Sequence, residues 1–349
     1  MSRENKFDFI CKRPFVEQNL SLDGHLYPCC EIWTNRYSFG NVFEQDAKSI
    51  INSEEAREFR RSILNKSYKY CNTEFCLPIR ADEKKIKLLC REDGTSEQLC
   101  EHFSFCHDKV CNLKCIICRD EYKTNSIEET QKLDSIIDTV LPLLKNAKIV
   151  SINGQGELFA SRHSRNLVKQ ISSTYPDIKF DILSNGLLFD EKNCNEIGIL
   201  NKIVSATISV HSNNKKTYDK IMLGSNYKQV WKNIEWLCDQ KAKNKIKTIK
   251  LAFVISLLNY KEMKNFLKKA IEMDIEVLFA LYNTSDSNMA YNYHEMAVWE
   301  PENKKHKDFV KIISDPIFDT PKCVWPKIIE DLRKEPSKTF FDLSNFLKR

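Results

Sequence analysis

"VCNLKCIICR", residues 110–119, sets Cys111, Cys115 and Cys118 in the spacing C-x3-C-x2-C. It follows directly on "HFSFCH" (102–107), whose apolar and aromatic alternation predicts a β-strand. The thiols therefore lie in a loop at the C-terminal end of a strand. Two questions arise together: which fold that strand opens, and why there are three thiols when a structural metal site normally uses four ligands.

Outward from this stretch the pattern alternates. Further strand candidates are "AKIVSI" (147–152), "IKFDIL" (178–183), "IVSATISV" (203–210), "IKLAFVIS" (249–256) and "IEVLFALY" (275–282). Between them run amphipathic stretches such as 128–146, 227–240 and 261–273, which predict helices. Strand alternating with helix implies parallel strands joined by right-handed crossovers. Six such strands are too few for a closed eight-stranded barrel and fit an open one. The predicted fold class is α/β: a partial (β/α)6 TIM-type barrel preceded by a small loop-rich domain. Barrel active sites are built at the C-terminal strand ends.

The bulk numbers narrow the partners. The 349 residues carry 54 basic and 48 acidic side chains, a net charge of +6. So balanced a surface argues for neither a nucleic acid nor a membrane partner. The lysine-rich run 241–250 reads as a solvated helix end leading into a strand. The start, "MSRENKFDFI", has no apolar signal region, and "LAFVISLL" (251–258) is far too short to span a bilayer. The expectation is a soluble, cytoplasmic protein. In such a compartment 14 cysteines point to metal, not to a disulfide framework. Eleven of them fall within the first 118 residues. The first hundred residues read as a small domain held by metal, with one clear helix over 53–66.

Fe–S clusters are normally held by four thiolates, so a [4Fe–4S] cluster on three leaves one iron open. An open position is what a catalytic metal needs. A zinc knuckle asks for a second C-x2-C pair or added histidines, and the only nearby histidines, His102 and His107, lie upstream on the strand. A bacterial ferredoxin run spaces its first cysteines by two residues each. The x3-then-x2 spacing is neither.

C-x3-C-x-Φ-C, with Ile117 in the apolar place, resembles the signature of the radical S-adenosylmethionine (SAM) enzymes. The resemblance continues at successive strand ends. "NGQGEL" (153–158) is similar to the family's Gly-rich element, "LSNG" (183–186) to its Ser-Asn-Gly, and "ATISVHSNNKKTYDKI" (206–221) to its fourth-strand segment. It covers roughly residues 103–282. It implies that Cys111, Cys115 and Cys118 hold a [4Fe–4S] cluster that binds SAM. It further implies that Ile117, Gly154, Gln155, Gly156, Glu157, Ser184, Asn185 and Ser209 line the SAM site, and that reductive cleavage of SAM gives a 5′-deoxyadenosyl radical. There are departures. His211 stands where the family often has Asp, and reads either as a structural hydrogen-bonding residue or as a catalytic one. Met222 stands where many members have an Arg.

The N-terminal stretches "CKRPFVEQNLSLDGHLYPCCEIW" (11–33) and "YCNTEFC" (70–76) resemble a SPASM/Twitch auxiliary-cluster domain. That implies one auxiliary [4Fe–4S] cluster on Cys11, Cys29, Cys71 and Cys76. Cys30, Cys90, Cys100 and Cys106 remain either a second auxiliary set or free thiols. The predicted division is 1–100 auxiliary domain, 101–285 radical SAM core and 286–349 C-terminal extension.

The resemblance implies a radical SAM oxidoreductase acting at an unactivated C–H bond of a sugar-like small molecule, with the auxiliary cluster as electron acceptor. The chain opens on the cluster domain with no evident peptide-recognition module, which favours that reading. The alternative is a peptide- or protein-modifying enzyme that epimerises, crosslinks or oxidises. The remote one is a non-enzymatic Zn or Fe–S binding protein, which leaves the strand-end motifs unexplained. Either enzyme implies a reducing partner such as flavodoxin or ferredoxin.

Overall fold

A computed structural model describes residues 7–73, 76, 78–96, 100–153, 155–282 and 292–335. The fold is α/β with mainly parallel strand pairing, as predicted. The chain divides into two compact units. The first is 1–110, 124–181 and 196–202; the second is 111–123, 182–195 and 203–349. Among the described residues no helix is long and apolar enough to cross a membrane.

In the first unit β1 (Glu17–Leu20), β2 (His25–Tyr27) and β3 (Gly40–Asn41) form an antiparallel meander. The turn between β1 and β2 needs its glycine. Gly24 has φ +86°, and a Cβ there would lie 2.3 Å from the Phe43 ring. β1 then pairs in parallel with β4 (His102–Phe105), in register from Glu17↔His102 to Leu20↔Phe105. β4 pairs in parallel with β5 (Ile149–Ile152). The N-terminal meander thus covers an edge of β4 that would otherwise present unpaired backbone groups. Leu20, Phe103 and Phe105 are buried at this junction. Each contributes about 1.5–3 kcal/mol by the usual transfer estimate. β6 (Lys179–Ser184) runs across the division at Asp181.

In the second unit β7 (Ile203–Ser209), β8 (Thr248–Ile255), β9 (Glu276–Leu281) and β10 (Cys323–Val324) are successive parallel neighbours. The helices Tyr227–Ala242 and Met263–Glu272 stand where the periodicity predicts them. The predicted helix 128–146 is broken instead into Ile127–Ser135, Ile137–Val140 and a 3-10 turn, Leu141–Leu144. Pro142, which lacks an N–H, sits in that last turn.

Candidate metal and cofactor site

The loop that follows β4 carries the signature thiols, and the second unit holds it from three sides. Lys114 N–H donates to the Leu223 carbonyl and Ile116 N–H to the Ile221 carbonyl, each at 3.0 Å. Cys111 N–H donates to Lys123 O at 3.1 Å, closing the loop on itself. At the end of β6, Asn185 Nδ2 donates to Asn112 Oδ1 at 2.9 Å and lies 3.9 Å from Cys111 Sγ. Ile117 is buried beneath the loop, while Cys118 is exposed.

The three thiols share one electrostatic environment. Burial pushes the Cys115 thiol far above its ordinary value, and the neighbouring Cys118 and Cys111 add to the rise. Crowding of this kind opposes three thiolates on their own and is relieved when a cation joins them. The donor set is soft and wholly thiolate, which suits an iron–sulfur cluster. Met222, the residue in place of the family's Arg, packs its sulfur 3.5 Å from Cys115 Sγ.

The other strand ends supply polar groups. Ser184 Oγ accepts from Gly186 N–H at 3.0 Å, and Asn185 Oδ1 from Leu187 N–H, so both shape the turn leaving β6. Ser209 ends β7 opposite Ala252. His211 has φ +61°, a left-handed conformation that is strained outside glycine. Its Nδ1 accepts from Val254 N–H at 3.1 Å and its carbonyl from Asn259 Nδ2 at 2.9 Å. Burial lowers its pKa to about 4, with the Ala252 carbonyl pulling weakly the other way. His211 is therefore neutral at physiological pH and caps β8 where β7 has ended.

In the first unit the Gly-rich element follows β5. Gly154 lies outside the described residues. Gln155 is exposed, and Glu157 is buried with its N–H donating to Val110 O at 2.7 Å. A Cβ on Gly156 would lie 2.5 Å from Val110 O and 2.6 Å from Asp108 O. Asp108 anchors this approach. Its Oδ2 accepts from the Ser161 and Ser164 hydroxyls, and its Oδ1 from Val110 N–H and Asn125 Nδ2. The helix Arg162–Thr174 that follows is capped by Ser161, the sequence signal that marks its start.

The first unit also holds a second thiol group. Burial pushes the Cys29 thiol well above its ordinary value, and Cys76, Cys71 and Cys11 all add to it. Cys71 rises to about 12 through burial and its neighbours Cys76 and Cys11. Local backbone bonds set these thiols. Cys71 N–H donates to Tyr68 O, Cys76 N–H to Asn72 O and Asn72 N–H to Trp33 O. Cys11, Cys71 and Cys76 thus all lie within the field of Cys29, and Cys30 lies within that of Cys76. Cys106 lies within the field of Cys30. Cys90 lies beside the buried Arg60, and Cys100 Sγ faces the Leu143 carbonyl at 3.8 Å. Among the described residues, no three His, Cys, Asp or Glu side chains converge tightly enough for a single metal ion. A cluster core, having several irons, takes its thiolates from more widely spaced positions.

Comparison with known proteins bears on the N-terminal cysteines. The SPASM family, an iron–sulfur cluster-binding domain, matches residues 11–76. No curated protein matches the chain. Among solved structures, native anSMEcpe with bound AdoMet and Cp18Cys peptide is 20% identical, over 60% of this chain and 56% of that one, at a TM-score of 0.42. HydG, a maturase of the [FeFe]-hydrogenase, is 13% identical over 83% and 64%, at 0.38. BtrN in complex with AdoMet and 2-DOIA is 16% identical over 68% and 87%, at 0.30. The present chain thus spans little more than half the length of anSMEcpe. The SPASM match begins at Cys11 and ends at Cys76, the outermost members of the four-thiol group. The likeness to an iron–sulfur cluster-binding domain thus lies on residues 11–76, and the three-cysteine signature at 111–118 follows it in the chain.

Proposed function

We propose that the chain is a radical SAM oxidoreductase that removes hydrogen from an unactivated C–H bond of a sugar-like alcohol. In this reading Cys111, Cys115 and Cys118 hold a [4Fe–4S] cluster with one open iron. Cys11, Cys29, Cys71 and Cys76 hold a second, fully ligated one. We assign 1–100 to the auxiliary domain, 101–285 to the core and 286–349 to an extension. The observation that supports this most directly is the SPASM match over residues 11–76, which spans all four of these cysteines, beside the C-x3-C-x2-C spacing at 111–118.

When bound, the clusters and SAM would supply the radical and redox chemistry. The chain's residues hold and orient the reactants. In this reading Ile117, Ser184, Asn185 and Ser209 would line the SAM site, and Gln155, Gly156 and Glu157 would offer it backbone groups. An alcohol suits this arrangement. A carbon radical beside a hydroxyl that loses its proton is strongly reducing, so its electron passes readily to an acceptor. The net change would remove two hydrogens from the carbinol, one as a hydrogen atom taken by the bound cofactor and one as a proton to solvent with its electron to the acceptor, leaving a ketone. A flavodoxin- or ferredoxin-type protein supplies the priming electron.

The test is anaerobic reconstitution with SAM and a reductant, following 5′-deoxyadenosine and substrate mass. A loss of two mass units from a sugar-type alcohol supports the reading. The same loss from a peptide, or deuterium uptake into one at constant mass, replaces it with a peptide-modifying enzyme. Absence of 5′-deoxyadenosine from iron-loaded protein overturns both.

A further inference from the structure

The residue after the last signature cysteine is Arg119, and it does not extend into solvent. It is 9% exposed, although the thiol next to it is exposed. Its backbone N–H donates to Cys115 O at 3.0 Å, so the loop turns back on itself at this point. Its Nη2 then donates to Cys118 Sγ at 3.4 Å. The three thiols are held unequally. Cys111 Sγ accepts from Leu113 N–H at 3.4 Å, Cys115 Sγ faces the Met222 thioether, and Cys118 Sγ takes a full positive charge.

Charge and hydrogen bonds at the sulfurs are two of the levers that set an iron–sulfur potential. Three thiolates on a [4Fe–4S] core make a negative assembly, and reduction adds one more negative charge. A fixed cation beside one sulfur stabilises the reduced form more than the oxidised form. We propose that Arg119 is a positioning residue that raises the reduction potential of the three-cysteine cluster through Cys118, easing entry of the electron that primes the reaction. This rests on the reading that Cys111, Cys115 and Cys118 hold that cluster.

The experiment is an anaerobic redox titration of the reconstituted full chain, followed by electron paramagnetic resonance. Arg119→Gln removes the charge, and Arg119→Lys keeps it without the fork. Iron content is measured on each. The expected result is full iron in all three proteins. At the parent's midpoint, the reduced-to-oxidised ratio of the three-cysteine cluster should fall about tenfold in R119Q, which is about 59 mV for one electron. R119K should recover most of the shift. An unchanged midpoint in fully loaded R119Q overturns the proposal. Loss of iron from either variant also overturns it, in favour of a role in assembly. If changing all three signature cysteines to Ala leaves the iron content unaltered, the underlying cluster assignment fails instead, whatever Arg119 does.

Discussion

Asn185 Nδ2 donates to Asn112 Oδ1 across 2.9 Å, tying the end of β6 to the loop that bears the signature thiols. The same nitrogen lies 3.9 Å from Cys111 Sγ, while Asn185 Oδ1 accepts from Leu187 N–H at 3.0 Å. One amide thus fixes its own turn and braces the thiol loop 73 residues away.

Asn185→Ala should loosen that brace without unfolding the protein. A net loss of about 1 kcal/mol for the bond corresponds to about fivefold in the population of correctly held loop. The rate of 5′-deoxyadenosine formation should fall by about that factor, with iron content near the parent's. Asn185→Asp should be worse than Ala. It keeps the acceptor for Leu187 but puts a negative charge beside Cys111. Equal rates for the two variants would count against the donor role.

Changing Cys111, Cys115 and Cys118 together to Ala should abolish SAM cleavage and lower iron from about eight to about four per chain, four for each cluster. The remaining cluster should show no spectroscopic response to SAM, because no iron in it lacks a thiolate. Substantial 5′-deoxyadenosine from this variant would refute the three-thiol assignment.

The complementary change, Cys71→Ala with Cys76→Ala, should leave about four irons that do respond to SAM. The melting temperature should drop as well, since metal binding free energy is also folding free energy in a small domain. A protein that keeps about eight irons after this change would place the auxiliary cluster on other ligands.

The six central strands were legible because each is a short apolar run between clear breaks. β8 shows why, with Ile249, Leu251, Phe253 and Ile255 all buried. Spacing and resemblance alone propose both thiol groups. The parallel pairing of β1 with β4 was not legible, since nothing local in "EQNL" specifies a partner 85 residues away. The break in 128–146 was missed because the apolar period runs on through Pro142. His211 was read partly as a titratable group. Its pinned Nδ1 and its burial depend on β8 and Asn259, which no pattern near residue 211 encodes. The role of Asp108 was hidden for the same reason, as its donors come from positions 110, 125, 161 and 164.

Asp108 gives a pH dependence. Burial opposes its charge, but hydrogen bonds from Ser161, Ser164 and Val110 outweigh that and hold its carboxyl below the ordinary range. A carboxyl depressed on folding contributes stability above its unfolded value, about 3.9, and loses that contribution as pH falls through its folded value. Asp108→Asn should cost about 3 kcal/mol at pH 7, because an amide NH2 then faces donors. It should also flatten the acid limb of stability below about pH 4. Denaturant unfolding at pH 7 and pH 3 would check this; an equal loss at both would show that the charge contributes nothing.

Gly156→Ala tests the closest backbone approach at the Gly-rich element. The added methyl would meet Val110 O at 2.5 Å and Asp108 O at 2.6 Å, and both are main-chain atoms that cannot rotate away. Relief requires the 108–110 segment to move, and that segment carries the Glu157 N–H to Val110 O bond and leads into Cys111. Overpacking of this kind costs about 1–3 kcal/mol. Gln155→Ala, one residue earlier and exposed, should change stability by less than about 0.5 kcal/mol. The expected pattern is a lowered melting temperature in Gly156→Ala only. SAM cleavage should fall by more than the loss of folded protein explains, since the displaced segment feeds the thiol loop. Thermal melts and 5′-deoxyadenosine yields on the two variants decide it, and a Gly156→Ala protein with parent-like stability and turnover would show that the approach is not required.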